Sequence, residues 1–230
     1  MKTIGLLGGM TWESTHEYYR IINQQVNKRL GKHHAAQIAM TSINIQEMED
    51  FINKGDFAGL TEFFIKNAKK VEAAGADCLL ICANTPHMFA DVIQQSIAIP
   101  LIHITDATAE HIKVKGLSKI GLLGTTATME QGFYKVRLKN KHAIESLIPE
   151  EDERNFIQKV IVNELFAGVM NPVSRNKIIS IMQSLTSKGA QGIILGCTEI
   201  PLLIKQTDTD IILFDTSEIH ACAAVDFALS

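Results

Sequence analysis

The segment ICANTPH, residues 81–87, carries side chains that suit proton transfer on a small polar substrate. Cys82 offers a thiol, while Asn84 and Thr85 offer an amide and a hydroxyl. Ala83 separates the cysteine from the Asn-Thr pair. A thiol can accept or deliver a proton, and amide and hydroxyl groups can orient a substrate through hydrogen bonds. The segment is therefore a candidate catalytic turn, although by residue type Cys82 also suits a buried core position.

A second candidate turn is GCTE, residues 196–199, which follows an apolar run and precedes Pro201. If a helical turn begins here, Cys197 lies at its N-terminus, where the dipole and free N–H groups lower a thiol pKa and favour a thiolate base. Residue type alone equally allows Cys197 to be a buried packing residue at a strand end. Glu199 has two interpretations besides a solvated carboxylate: it tunes Cys197, or it binds a substrate ammonium.

Short apolar runs alternate with longer amphipathic stretches along the chain, which predicts an α/β fold with parallel strands covered on both faces. The predicted strands are Thr3–Leu7, Ile38–Ile43, Cys78–Ile81, Leu101–His103, Lys119–Leu123, Gly192–Leu195 and Ile211–Phe214. The predicted helices are Ser14–Leu30, Asp56–Ala74, His87–Ser96, Asp106–Lys115, Glu151–Phe166, Ser174–Ser187 and Ser217–Leu229.

An internal repeat relates the two halves of the chain. IGLLG at 4–8 recurs at 120–124, and GAD at 75–77 resembles GAQ at 189–191, at nearly the same offset. Matched corresponding positions indicate a duplicated α/β unit. Aligned without a gap, the halves pair Ala83 with Cys197 and place Cys82 one residue early. Because strand side chains alternate in direction, we expect Cys82 to point away from the position that Cys197 occupies.

Composition excludes several classes of partner. The 230 residues are 46% hydrophobic and 20% charged with a net charge of −3, so nucleic acid and anionic membranes are not expected partners. The four cysteines and the histidines lack zinc-site spacing, so no metal is expected. His87, His103 and His220 are interpreted as packing residues or as residues that support the site from behind, rather than as metal ligands. The N-terminal apolar run is short and glycine-rich, unlike an export signal, and favours a cytoplasmic protein.

Taken together, the motifs resemble the aspartate/glutamate racemase family of cofactor-independent amino-acid racemases. The resemblance rests on IGLLGGMTWEST, GAD…NTPH, HITDAT, IGLLGTTATMEQGFY, GAQGIILGCTEI and FDTSEIHA, and is strongest to the broad-specificity and L-aspartate/glutamate-directed branch. It implies an isomerase of amino-acid metabolism that needs no pyridoxal phosphate or other cofactor. It also implies an amino-acid substrate, a homodimer, and two pseudo-symmetric doubly wound domains with the active-site cleft between them.

The resemblance also implies residue roles. Asn84, Thr85 and Thr198 match positions that hold the amino and carboxylate groups of the substrate, and Met10 matches a pocket-lining position. Glu199 is grouped with these substrate-binding residues. Cys197 matches a catalytic cysteine. At the position of the second base the family carries Cys, or Thr in the nearest branch, where this chain has Ala83.

Ala83 leaves three interpretations open, since alanine carries no transferable proton. Cys82 or a water substitutes as second base, or the enzyme acts from one face, as in one-cysteine decarboxylases, or the protein binds an amino acid with little racemisation. Related aspartate racemases hold the distal carboxylate with an Arg and a Lys. The corresponding stretches here, 44–46 and 164–167, contain neither, which argues against dedicated aspartate recognition.

The expected domain division follows from the repeat. Residues 1–101 together with 213–230 are expected to form the N-terminal domain, which carries the Asn84-Thr85 turn. Residues 102–212 are expected to form the C-terminal domain, which carries Cys197.

Overall fold

The computed structural model describes all 230 residues and divides into two compact units. The first unit comprises residues 1–104 and 220–230, and the second comprises residues 105–219. Every strand pairing is parallel. The predicted α/β class with two parallel sheets is therefore confirmed.

Seven strands build the two sheets. They are β1 (Ile4–Gly8), β2 (Ile38–Ser42), β3 (Cys78–Ile81), β4 (Lys119–Gly124), β5 (Glu145–Leu147), β6 (Ile193–Gly196) and β7 (Leu213–Asp215). The first sheet has the order β2-β1-β3, and the second has the order β5-β4-β6-β7. An isolated parallel bridge from Leu79 to Leu101 lies where a fourth strand of the first sheet would run. The two units thus repeat one strand order, as expected of a duplication.

The structure has eleven α-helices, ten between strands and one after the last strand. They are α1 (Trp12–Leu30), α2 (Ile45–Lys54), α3 (Phe57–Ala73), α4 (Ala90–Ser96), α5 (Ile104–Val114), α6 (Thr126–Glu130), α7 (Gly132–His142), α8 (Glu151–Asn163), α9 (Pro172–Ser187), α10 (Ile200–Leu203) and α11 (Thr216–Leu229). Short 3₁₀ turns lie at Thr85–Phe89, Leu165–Ala167 and Gln206–Asp208. None of the helices has the length and apolar character needed to cross a membrane.

Strand alternation divides the core of the first unit into two apolar clusters. Ile4, Leu6, Leu80 and Cys82 belong to a cluster with residues of α1 and α11. Leu7, Leu79 and Ile81 belong to another cluster with residues of α3 and α4. Burying an aliphatic side chain contributes about 1.5–3 kcal/mol, so both clusters fix which way each strand residue faces. This orientation decides the direction of the side chains at the strand ends.

The structure departs from the sequence expectations at several elements. Leu101–His103 forms a single bridge rather than a strand, because its pairing with β3 ends after Leu101. Helices α2, α6 and α7 and strand β5 were not predicted. Residues 213–219 lie in the second unit rather than with the N-terminal domain, since β7 pairs with β6.

Candidate active site

Cys197 follows the end of β6, which is buried along its whole length. Gly196 allows the strand to end close to its neighbour, because a Cβ there would lie 2.7 Å from the carbonyl oxygen of Leu123. The chain then turns at once into α10, where the Ile200 N–H donates to the Cys197 carbonyl at 3.2 Å. The predicted helical turn after Cys197 is present, and the backbone N–H groups of Thr198 and Glu199, just before this short helix, interact with the sulfur.

A carboxylate accepts hydrogen bonds from both neighbouring side chains of this turn. Glu199 Oε2 accepts from Cys197 Sγ at 3.0 Å and from Thr198 Oγ1 at 2.8 Å. All three residues are buried, with exposures of 6% for Cys197, 8% for Thr198 and 3% for Glu199. The structure therefore joins three predicted site residues into one hydrogen-bonded group, which we call the thiol–carboxylate group.

The protonation state of Cys197 differs from the sequence expectation. Burial, followed by the charge of Glu199 and its hydrogen bond, raises the Cys197 thiol pKa well above the ordinary value. The backbone N–H groups of Glu199 and Thr198 lower this pKa, as expected at a helix start, but by less. The expected lowering of the thiol pKa was therefore wrong, because burial and the adjacent carboxylate outweigh the N–H groups.

Cys82 occupies a different environment at the end of the first sheet. Its side chain is fully buried in the apolar cluster with α1 and α11, and burial raises its thiol pKa. Its backbone N–H donates to the Leu7 carbonyl at 2.9 Å, and its carbonyl accepts from Ser14 Oγ at 2.8 Å. These contacts fix Cys82 as a continuation of the strand, with its sulfur among hydrocarbon side chains.

Ala83 lies on the opposite side of the first sheet from Cys82. It belongs to the cluster that contains Leu79, Ile81 and Met10 and is 7% exposed. In the second unit, Cys197 shares a cluster with Ile193 and Leu195 in the same alternating pattern.

Strand register makes the two positions equivalent. Leu7 of β1 pairs with Ile81, and Leu123, its counterpart in β4, pairs with Leu195. Two residues beyond each paired partner stand Ala83 and Cys197. The ungapped alignment of the repeat thus agrees with the sheet register in both units.

The Asn84-Thr85 turn opens the 3₁₀ segment Thr85–Phe89, and Asn84 is buried at its start. His87 braces this turn. Its Nδ1 donates to the Ala83 carbonyl at 2.8 Å, and its Nε2 accepts from the Ile104 N–H at 3.2 Å. Because both ring nitrogens are engaged, His87 is held as a neutral imidazole, and burial lowers its pKa well below the usual value.

Two further histidines complete a buried cluster behind the turn. The His87 ring centroid lies 4.7 Å from that of His103 and 5.5 Å from that of His220. His220 Nε2 donates to the Ile102 carbonyl at 2.7 Å, and its Nδ1 accepts from the Tyr18 hydroxyl at 2.8 Å. The contacts of His87 and His220 agree with the interpretation of these histidines as packing or supporting residues. The sequence did not predict which groups they contact, because the partners come from distant segments.

Met10 is positioned by the first strand-end turn. Gly9 has φ of +91°, and a Cβ there would lie 2.1 Å from the Ile43 carbonyl oxygen, so glycine is required. The Gly9 N–H donates to Thr15 Oγ1 at 2.8 Å, and Met10 is 7% exposed. Sequence reasoning overlooked Ser14 and Thr15, although the GGMTWEST motif contains both of these supporting hydroxyls.

The donor atoms of the chain do not assemble a metal centre. No group of three or more His, Cys, Asp or Glu side chains is arranged to hold an ion. The turns after β3 and β6 carry a buried thiol, a carboxylate, hydroxyls, an amide and backbone N–H groups.

The chain thus has a duplicated parallel α/β fold with a thiol–carboxylate group at a strand end, and comparisons with known proteins identify its family. The model of the Asp/Glu/Hydantoin racemase family matches residues 7–224. The chain belongs to this family, so the predicted family and the isomerase class are confirmed.

Individual relatives are similar to this chain over all or nearly all of its length. A candidate Asp/Glu racemase from Yersinia pestis is 45% identical, with a TM-score of 0.94 and 100% of both chains covered. An aspartate racemase homologue from Pyrococcus horikoshii is 35% identical, with a TM-score of 0.89 and the same coverage. The broad specificity amino-acid racemase RacX of Bacillus subtilis is 25% identical over 96% of this chain and 94% of its own length.

Proposed function

We propose that the protein is a cofactor-independent amino-acid racemase-type enzyme in which Cys197 removes or returns the α-proton and the second base position is Ala83. The observation that carries the proposal is the shared register of Cys197 and Ala83, with Cys82 facing the other side of its sheet. Asn84, Thr85, Thr198 and Met10 are proposed substrate contacts.

The proposed chemistry is a proton exchange at the α-carbon. The Cys197 sulfur, once deprotonated, takes the α-proton and leaves a carbanion next to the substrate carboxylate. The same sulfur returns a proton to the same face, which restores the starting enantiomer. Inversion needs a proton from the other face, where Ala83 offers none, so a water molecule would have to supply it. We therefore expect the rate of α-proton exchange to exceed the rate of racemisation.

The substrate class is proposed as amino acids without a strict requirement for a distal carboxylate. The stretches 44–46 and 164–167 contain no cation, and RacX, which the chain resembles, is a broad-specificity amino-acid racemase. A cytoplasmic location and a homodimer remain predictions of the sequence.

Incubation with single L- and D-amino acids in D₂O tests the assignment of Cys197. We expect deuterium at the α-carbon with wild type, and Cys197→Ala should reduce the rate by about 10²–10⁴-fold, the usual contribution of a positioned acid or base. Cys82→Ala is the matched control and should keep most of the rate. Exchange that survives Cys197→Ala would contradict the assignment.

A binding function is the other outcome of the same experiment. If amino acids raise the thermal midpoint of unfolding while no α-proton exchanges, the chain binds an amino acid without turning it over. Carbon dioxide release from a substituted malonate, lost in Cys197→Ala, would instead indicate a one-cysteine decarboxylase.

A further inference from the structure

His87 contacts the peptide groups on both sides of Asn84. Its Nδ1 donates to the Ala83 carbonyl at 2.8 Å, and its backbone N–H donates to the Asn84 carbonyl at 3.1 Å. The preceding carbonyl, that of Cys82, accepts from Ser14 Oγ at 2.8 Å. Three successive carbonyl groups at the strand end are therefore each held by a donor, and His87 supplies two of the three.

The planarity of the peptide group makes these contacts decide where the N–H groups point. All peptide bonds of the chain are trans, so each N–H points opposite to the carbonyl of its own peptide. Because the Ala83 carbonyl is directed at the His87 ring, the Asn84 N–H points away from that ring. The Thr85 N–H points away from the His87 backbone for the same reason. His87 thus fixes the orientation of two residues that are proposed to bind the substrate.

The two ring bonds of His87 select one chemical form of the ring. A carbonyl oxygen only accepts and a backbone N–H only donates, so Nδ1 carries the proton and Nε2 accepts from the Ile104 N–H at 3.2 Å. Only the neutral tautomer with the proton on Nδ1 makes both bonds. Ile104 is the first residue of α5, so the ring ties the Asn84-Thr85 turn to the start of a helix.

We propose that His87 is a positioning residue for the substrate, because its ring ties the Ala83 carbonyl to α5 and so holds the Asn84-Thr85 turn in the orientation that binds the amino acid. The inference rests on the proposed function, in which Asn84 and Thr85 contact the substrate. His87 acts through the turn and needs no contact with the substrate itself.

A purely structural role for His87 would have a different consequence. The residue is buried, and its ring packs against His103, so its loss should also lower the free energy of unfolding. Unfolded molecules bind no substrate, so a loss of folded protein reduces the number of binding sites per chain and leaves the Kd of the folded molecules unchanged. Lost positioning instead raises Kd and keeps the number of sites.

Isothermal titration calorimetry measures both quantities. Single L- and D-amino acids are titrated into His87→Leu and His87→Asn, each in a Cys197→Ala background that prevents turnover. His87→Leu removes the donor to Ala83, and we expect Kd to rise on the order of tenfold, the net contribution of about one hydrogen bond. The side-chain N–H group of His87→Asn can replace Nδ1–H, so this variant should recover most of the affinity.

His142→Leu is the matched control. His142 is also buried and also contacts polar groups through both ring nitrogens, but it lies in the second unit. This variant should lose stability and keep the wild-type Kd.

Hydrogen exchange provides a measurement that needs no ligand. Deuterium uptake by peptides that span residues 83–88 should be on the order of tenfold faster in His87→Leu than in wild type, and unchanged in His142→Leu. If His87→Leu does not fold, His87→Asn and the wild-type protein still test the proposal. The ¹⁵N spectrum of histidine-labelled wild type should show the His87 proton on Nδ1, and a proton on Nε2 would overturn the proposal.

Two binding results would also overturn the proposal. One is an unchanged Kd with fewer sites in His87→Leu, which is the signature of a purely structural role. The other is a wild-type protein that binds none of the amino acids. Failure of the proposed function is distinguishable from both, because Kd would still rise in His87→Leu while wild type exchanged no α-proton.

Discussion

The turns that follow β3 and β6 have the same register against their central strands and carry different polar groups. In the first unit the position is Ala83, and the turn behind it is braced by His87, whose ring packs against that of His103. In the second unit the position is Cys197, and the turn carries a thiol hydrogen-bonded to Glu199. Duplication thus kept the backbone frame while the chemistry at equivalent positions diverged.

The largest expected effect is a loss of stability in acid, which arises from the buried histidines behind the first of the two turns. Burial lowers the pKa of His220 from 6.5 to about 4. Because the unfolded histidine then binds protons more readily than the folded one, the free energy of unfolding should fall as pH drops from 6.5 towards 4. The loss from His220 alone is about 3 kcal/mol, with His87 adding to it in the same direction.

Urea unfolding across this pH range measures the effect. His220→Asn should flatten the dependence on pH, while His33→Asn, at an exposed histidine, should leave it unchanged. If the free energy of unfolding of His220→Asn fell as steeply with decreasing pH as that of wild type, the histidine cluster would not be the cause of the acid sensitivity.

Serine substitution of the two cysteines should give a smaller contrast in the same direction, with the larger loss of stability again in the first unit. Cys82→Ser places a hydroxyl among hydrocarbon side chains and should cost about 1–3 kcal/mol of unfolding free energy. Cys197→Ser keeps a donor to Glu199 Oε2, so its cost should be lower. Urea denaturation of both variants measures the two losses of unfolding free energy. A larger loss for Cys197→Ser would contradict the assignment of an apolar environment to Cys82 and a hydrogen-bonded one to Cys197.

The sequence predicted the elements that have strong local patterns. Apolar runs such as Cys78–Ile81 and the repeated IGLLG defined the central strands, and the residue after each run marked the candidate turns. Strand β5 was not predicted because it has only three residues, one of them the charged Glu145, and so forms almost no apolar pattern. The sequence did not predict that β7 belongs to the second sheet, because its pairing with β6 is a long-range contact that the local pattern does not encode.

The sequence predicted the candidate site residues but not the contacts between their side chains. The equivalence of Cys197 and Ala83 followed from the repeat, and so did the direction of Cys82. Glu199 was a candidate because it lies beside Cys197 in the GCTE turn. The hydrogen bond from Cys197 to Glu199 did not follow, since two neighbouring side chains in a turn can point in many directions. For that reason the sequence predicted a lowered thiol pKa where the structure raises it.

We propose that Cys197 has no side-chain partner for inversion, because the position equivalent to it in the repeat is Ala83. The most direct test is the ratio of α-deuterium incorporation to inversion in D₂O, read by mass spectrometry after chiral separation of the amino acid. We expect wild type to incorporate deuterium on the order of tenfold faster than it inverts, and Ala83→Cys to bring the two rates together. Equal rates in wild type, with inversion lost in Cys82→Ala and no gain in Ala83→Cys, would contradict the claim.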